Sequence, residues 1–133
     1  MIEIRSMETQ DVSQIADLEK VCFNDPWSEN SIASELDNPL SCWLVAVNGE
    51  QVVGYVGSQT VLDGSDMMNI AVSPDFRRMG IAESLIEALV CLLRQRKSFQ
   101  LRCLSEQIHR YLNIPSCKRK LLKSHHYATH IFL

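Results

Sequence analysis

The residues with chemistry in their spacing run from Asn69 to Ala82, Asn69-Ile70-Ala71-Val72-Ser73-Pro74-Asp75-Phe76-Arg77-Arg78-Met79-Gly80-Ile81-Ala82. They read as a strand, a proline stop, a basic turn and the start of a helix. Such a helix start is an anion site. Its first backbone N–H groups have no intrahelical partner and the helix dipole is positive at that end. A pyrophosphate placed there accepts several amide hydrogen bonds. Gly80 lets the backbone come close to the phosphates, and Arg77 or Arg78 adds charge. A lone glycine of this kind is more often only a turn residue, and two arginines only a solvated face. The whole string has to be explained together, and the phosphate site explains it.

The same string resembles the signature of the GNAT acetyltransferases, Arg/Gln-x-x-Gly-x-Gly/Ala, matched here by Arg77-x-x-Gly80-x-Ala82 with Val72 and Pro74 ahead of it. A second stretch, Glu19-x-x-Cys22-Phe23-x-x-Pro26-Trp27-Ser28 followed by Glu35-Leu36, resembles the early region of the bacterial ribosomal-protein alanine N-acetyltransferases, and Asn69-Ile70-Ala71-Val72 fits that family too. The likeness covers residues 1 to about 101 of the 133. It implies an α+β fold of the GNAT acyltransferase type, with a mostly antiparallel central sheet and flanking helices, incomplete at its C-terminal end.

It also implies an activity: transfer of an acetyl group from acetyl-CoA to the N-terminal α-amine of a protein, an alanine of a ribosomal protein. The amine attacks the thioester directly, so positioning carries much of the rate. The amine must lose a proton and the departing thiolate must gain one. By the same resemblance, backbone groups of Ile70, Ala71 and Val72 pair with the pantetheine arm and polarise the thioester carbonyl. Arg77, Arg78, Met79, Gly80, Ile81 and Ala82 hold the pyrophosphate, and Pro26 and Trp27 shape the groove for the acceptor peptide. A Trp27 that merely pins the loop between two helices to the core is an equally weighted alternative.

The likeness stops after the long helix. Family members continue with Leu-Glu-Val-Arg and then Ser-Asn-x-x-Ala-Ile-x-Leu-Tyr, the glutamate resembling a general base and the tyrosine a general acid. This chain has Leu101-Arg102-Cys103-Leu104. An arginine, charged at any working pH, cannot stand in as a base. Dropping one nucleotide from codons allowed for Arg102 to Ile114 permits Leu-Asp-Val-x-Val-Ser-Lys-x-x-Ala-Ile-Ser-Ile-Tyr, close to the missing motif, which points to a frameshift that resequencing would reveal. Tyr111, Glu106 and Asp66 have the right types for an acid and a base but nothing further recommends them, so no catalytic residue is assigned. The second reading of the chain is a catalytically impaired coenzyme A binding remnant.

The elements that must position these residues follow from periodicity. Ile2 and Ile4 alternate as a short strand does, and Val12, Ile15, Leu18 and Val21 recur at helical spacing within Thr9–Val21. Ser28 suits the N-cap of a second helix with Ile32, Ala33 and Leu36 inside, ending near Asn38-Pro39. Residues 42–47 and 51–62 make strands joined at Asn48-Gly49, a strong hairpin signal. After a turn at Asp63-Gly64-Ser65, residues 67–72 form another strand, stopped by Ser73-Pro74. Ile81, Leu85, Ala88, Leu89, Leu92 and Leu93 line one face of a helix that ends in a basic cluster, and Phe99–Leu101 begins a strand parallel to 67–72. The expected division is a domain over residues 1–104 and an atypical segment over 105–133, to which no element is assigned.

Composition narrows the rest. With 133 residues, 46% of them hydrophobic, the chain suits one domain with one core. A net charge of -3 disfavours a nucleic-acid partner. Five scattered cysteines without a Cys-x-x-Cys pair suggest free thiols in a reducing cytoplasm. No leader or membrane span is read, so a cytoplasmic location is expected. His109, His125, His126, His130 and Cys117 fit no four-ligand spacing, so no metal is expected.

Overall fold

A computed structural model describes residues 1–61, 64–95, 100–103, 122–124 and 131–132. Strands β1 (Ile2–Ser6), β2 (Ser41–Asn48), β3 (Gln51–Val61) and β4 (Gly64–Val72) pair antiparallel in chain order. Strand β5 (Gln100–Cys103) runs parallel to the start of β4, and β6 (Leu122–Ser124) runs parallel to β5. Strand β7 (Ile131–Phe132) pairs parallel with Ile70 and Ala71 near the end of β4. The mixed, mostly antiparallel class expected from the sequence is what the molecule has.

Helices α1 (Val12–Cys22) and α2 (Glu29–Glu35) cover one face and α3 (Ile81–Gln95) the other. The pleat decides which strand residue goes where, since successive side chains point to opposite faces. Trp43, Val45, Tyr55 and Ala71 face α1, while Leu44, Ala46, Val56, Ile70 and Val72 face α3. Two register breaks adjust the pattern, one between Ala46 and Val47 opposite β3, the other between Gly57 and Ser58 opposite β4. At the second, Gly57 pairs with Asn69 and Ser58 with Met67, so Met68 is the extra residue of a bulge.

The hairpin and cap signals are realised. Gly49 takes a φ of +64° in the β2–β3 turn, a left-handed value glycine adopts without a Cβ penalty. Ser28 caps α2, its Oγ accepting from the Ser31 N–H at 3.1 Å. The strand expected from Met67 starts earlier: Gly64 and Ser65 belong to β4 rather than to a turn, because they pair with Val61 and Thr60.

One core assignment fails. Val21 is 66% exposed, and the inner face of α1 continues instead through Glu19 and Cys22. At about 100° per residue, Cys22 returns to within about 20° of Ile15 whereas Val21 lies well round the helix. Thr9–Asp11, expected as the first turn of that helix, is a separate 3₁₀ turn. Its Asp11 is buried and receives a two-pronged contact from Arg5, Nη1 to Oδ2 at 2.6 Å and Nη2 to Oδ1 at 2.9 Å, fastening the helix entry to β1.

Candidate active site

The site is assembled where β4 ends and α3 begins. A short 3₁₀ turn, Pro74–Phe76, follows the strand, and the chain then makes the turn Arg77–Gly80. Two residues in it are left-handed, Arg78 with φ of 63° and Gly80 with φ of +78°. A Cβ at Gly80 would meet nothing within 4 Å, so the glycine is required by its backbone conformation and leaves open space above it. The Gly80 carbonyl accepts from the Ser84 N–H at 3.0 Å, the first bond of α3. The amides of Ile81, Ala82 and Glu83 therefore have no intrahelical acceptor.

Of the residues picked out for the turn, Arg78, Met79 and Gly80 are exposed, Ala82 is half-buried and Ile81 is buried against the α3 side of the sheet. Arg77 is half-buried and points back into the fold. Its Nε donates to the Val72 carbonyl at 3.1 Å and its Nη2 lies 3.6 Å from the Cys22 sulfur. Cys22 in turn sits 4.0 Å from the same carbonyl. Burial pushes the Cys22 thiol up from its ordinary range, with the Arg77 hydrogen bond partly opposing it. Arg77 is thus a fastener between turn, strand and α1, while Arg78 carries the outward charge.

Ile70, Ala71 and Val72 are buried at the end of β4. Their β3 side is taken up by Val56, Tyr55 and Gly54. On the other side, β5 reaches only Asp66, and β7 lies against Ile70 and Ala71. A ligand that pairs with the backbone of Ile70 and Ala71 on that side must do so in place of Ile131 and Phe132.

The loop expected to meet an acceptor is joined to β4 through Glu19. Trp27 and Pro26 are half-buried. The Trp27 ring tilts against Trp43 at 5.5 Å between centroids, and Trp43 stacks on Tyr55 at 5.6 Å and 5°. Trp27 therefore does pin its loop to the core, and it keeps part of its surface open. The sequence named the group beneath this loop only as part of the family-like string and gave it no role. Glu19, fully buried, accepts from the Tyr55 hydroxyl, from Asn69 Nδ2 at 2.9 Å and from the Trp27 backbone N–H at 3.0 Å. Its helical phase was the available signal, because position 19 falls on the same face as Ile15 and Cys22. Burial, and then the neighbouring Glu19, push the Tyr55 hydroxyl far above its ordinary value, so it stays a donor.

Asp66 and Arg102 are register partners across β4 and β5. Tyr111, Glu106, Cys117, His109, His125, His126 and His130 lie outside the described residues. No helix among the described residues is long and apolar enough to cross a membrane.

Comparison with known proteins agrees with this geometry. The model of the acetyltransferase (GNAT) family matches residues 12–118. A putative ribosomal protein bS18-alanine N-acetyltransferase of Bacillus subtilis is 29% identical over 99 residues, covering 74% of this chain and 66% of that protein. The ribosomal protein bS18-alanine N-acetyltransferase of Escherichia coli K12 is 33% identical over 96 residues, 72% of this chain and 64% of the relative. The crystal structure of the Escherichia coli ribosomal-protein-S18-alanine N-acetyltransferase superposes with a TM-score of 0.69 at 31% identity, over 76% of this chain and 64% of that one. A PaiA N-acetyltransferase of Thermoplasma acidophilum, solved with coenzyme A, shares the fold with a TM-score of 0.69 at 13% identity, over 77% and 78% of the two chains. The chain spans about two thirds of the length of the curated relatives it matches.

Proposed function

Because this chain belongs to the acetyltransferase (GNAT) family, we propose that it binds acetyl-CoA at the β4–α3 junction and passes the acetyl group to the N-terminal α-amine of a protein, an alanine of a ribosomal protein. One observation carries the reading: a turn with left-handed residues at Arg78 and Gly80 opens onto the first amides of α3 and is tied through Arg77 to Cys22 of α1, the helix whose Glu19 holds the Trp27 loop. The residues fit the donor. Open space over Gly80 admits phosphate oxygens, Arg78 and the amides of Ile81 and Ala82 offer donors, and Met79 is exposed beside them. Acetyl-CoA supplies the activated thioester.

The chain's own part is to orient the two reactants, which accounts for a large share of the barrier in such transfers. Pro26 and Trp27 flank the acceptor, and the backbone of Ile70–Val72 holds the pantetheine arm once β7 has left that edge. The bond from the neutral amine nitrogen to the acetyl carbon forms, the carbon–sulfur bond breaks, and the one proton that the nitrogen loses ends on the departing thiolate. The relatives of the first match are bS18-alanine N-acetyltransferases, which is the support for an alanine N-terminus as acceptor. The domain over residues 1–104 holds every residue of this site. A single domain without a membrane span among its described residues, similar to bacterial modifiers of a ribosomal protein, suits a cytoplasmic site of action.

A coenzyme A binding remnant is the second reading, and Arg102 beside Asp66 on β5, where the family places a glutamate, favours it. The experiment that separates the two is intact-mass detection of acetyl transfer from acetyl-CoA to a peptide beginning with alanine, beside the same peptide with its amine blocked. Gain of one acetyl group on the free amine alone supports the enzyme. No gain from folded protein that still binds acetyl-CoA supports the remnant.

A further inference from the structure

Glu19 closes a circuit of contacts that runs through four elements. Its carboxyl group takes the Trp27 backbone N–H on Oε2, and the Tyr55 hydroxyl and Asn69 amide on Oε1. The Tyr55 ring stacks on Trp43, and Trp43 meets the Trp27 ring. Gly57 makes room for this, since a Cβ there would stand 2.6–2.8 Å from the Trp43 indole. The loop that carries Trp27 is therefore held twice, by its backbone through Glu19 and by its ring through Trp43. Asn69, the third partner, follows the Met68 bulge and immediately precedes Ile70.

Stability alone does not explain a carboxyl group at this depth. Taking it out of water is costly, and well-packed apolar residues of similar size often do as well or better. What it provides is a fixed distance between the Trp27 loop and the end of β4. We propose that Glu19 is a positioning residue for the acceptor, acting through Trp27 by locking the acceptor-side loop to the strand that holds the donor. The inference rests on the acetyltransferase reading given above and goes beyond it by naming what sets the gap between the two substrates.

The test is Glu19→Gln, which keeps the shape but offers an amide NH₂ where three donors converge, assayed for acetyl transfer and by hydrogen exchange of the segment 23–28. Losing one such hydrogen bond raises the KM for an alanine-starting peptide about tenfold or more while acetyl-CoA affinity stays within about threefold. Exchange of the Trp27 amide speeds up in the same variant. Tyr55→Phe removes one donor without changing shape, and it gives a smaller rise in both readouts if Glu19→Gln does not fold. Unchanged peptide KM and unchanged exchange in the variants overturn the proposal, as does a loss of acetyl-CoA affinity in step with the peptide effect. If the wild-type chain transfers no acetyl group, the acetyltransferase reading is what fails. The exchange data, with peptide binding to wild type and variant measured by tryptophan fluorescence, then decide the role of Glu19.

Discussion

The Nε of Arg77 donates to the carbonyl of Val72 at 3.1 Å, so the basic turn is bolted to the last residue of the strand it follows. Two adjacent arginines with the same sequence credentials thus do different work. Arg77 sets the shape of the turn, and Arg78, exposed and left-handed, presents charge.

That division predicts different salt behaviour. Arg78→Ala weakens acetyl-CoA binding through lost charge, and the deficit shrinks as ionic strength rises past about 0.15 M. Arg77→Lys keeps the charge but has no Nε–H to give to Val72, so its deficit, about tenfold for one hydrogen bond to a charged group, persists at high salt. Calorimetric titration of both variants at two salt concentrations checks this, and equal salt dependence would contradict the assignment.

Gly57→Ala is expected to destabilise the chain by about 1–3 kcal/mol, the usual range for overpacking. The added methyl collides with the Trp43 ring at 2.6–2.8 Å, and the ring is wedged between Trp27 and Tyr55. Urea unfolding reads the loss. Gly80→Ala costs a similar amount, about 1–2 kcal/mol, for a different reason, the φ of +78° alone, as nothing lies within 4 Å of its Cβ position.

Much of this architecture is written in local signals. The Asn48-Gly49 hairpin, the Ser28 cap, the strand–turn–helix string and the α3 stripe all follow from spacing and turn chemistry. What stayed hidden depends on contacts distant in sequence. Glu19 stands in the family-like string without a role until Tyr55 and Asn69, 36 and 50 residues away, close over it. The tie from Arg77 to Val72 and Cys22 was not legible either, since Cys22 lies 55 residues away. Strands β6 and β7 lack periodicity, and they exist through pairing with β5 and β4. Val21 keeps the three-residue spacing from Leu18 but leaves the α1 face, which continues to the buried Cys22.

Strand β7 lies along Ile70 and Ala71, the backbone proposed above to hold the pantetheine arm. Phe132→Pro, which removes an N–H and resists the ladder, therefore tightens acetyl-CoA binding. Release of one or two strand hydrogen bonds at about 1 kcal/mol each corresponds to roughly a 5- to 30-fold gain. Weaker or unchanged binding in this variant would place the arm elsewhere.

The Arg5–Asp11 pair gives the chain an acid limb. Burial acts to raise the Asp11 carboxyl, but the Arg5 hydrogen bonds, the Glu8 N–H at 2.8 Å and the Arg5 charge outweigh it and hold it below its ordinary 3.8. A group whose pKa is lower folded than unfolded stabilises the fold above its unfolded value, and that stabilisation is lost as pH falls through the folded value. Asp11→Asn is therefore less stable than wild type at neutral pH, by about 1–3 kcal/mol for a hydrogen-bonded group left facing Arg5. The gap narrows as pH drops below 3.8, where the wild-type carboxyl also takes up a proton. Paired urea titrations at pH 7 and near pH 3 test the sign, and a gap that widens in acid would show that Asp11 is not held in its charged form by Arg5.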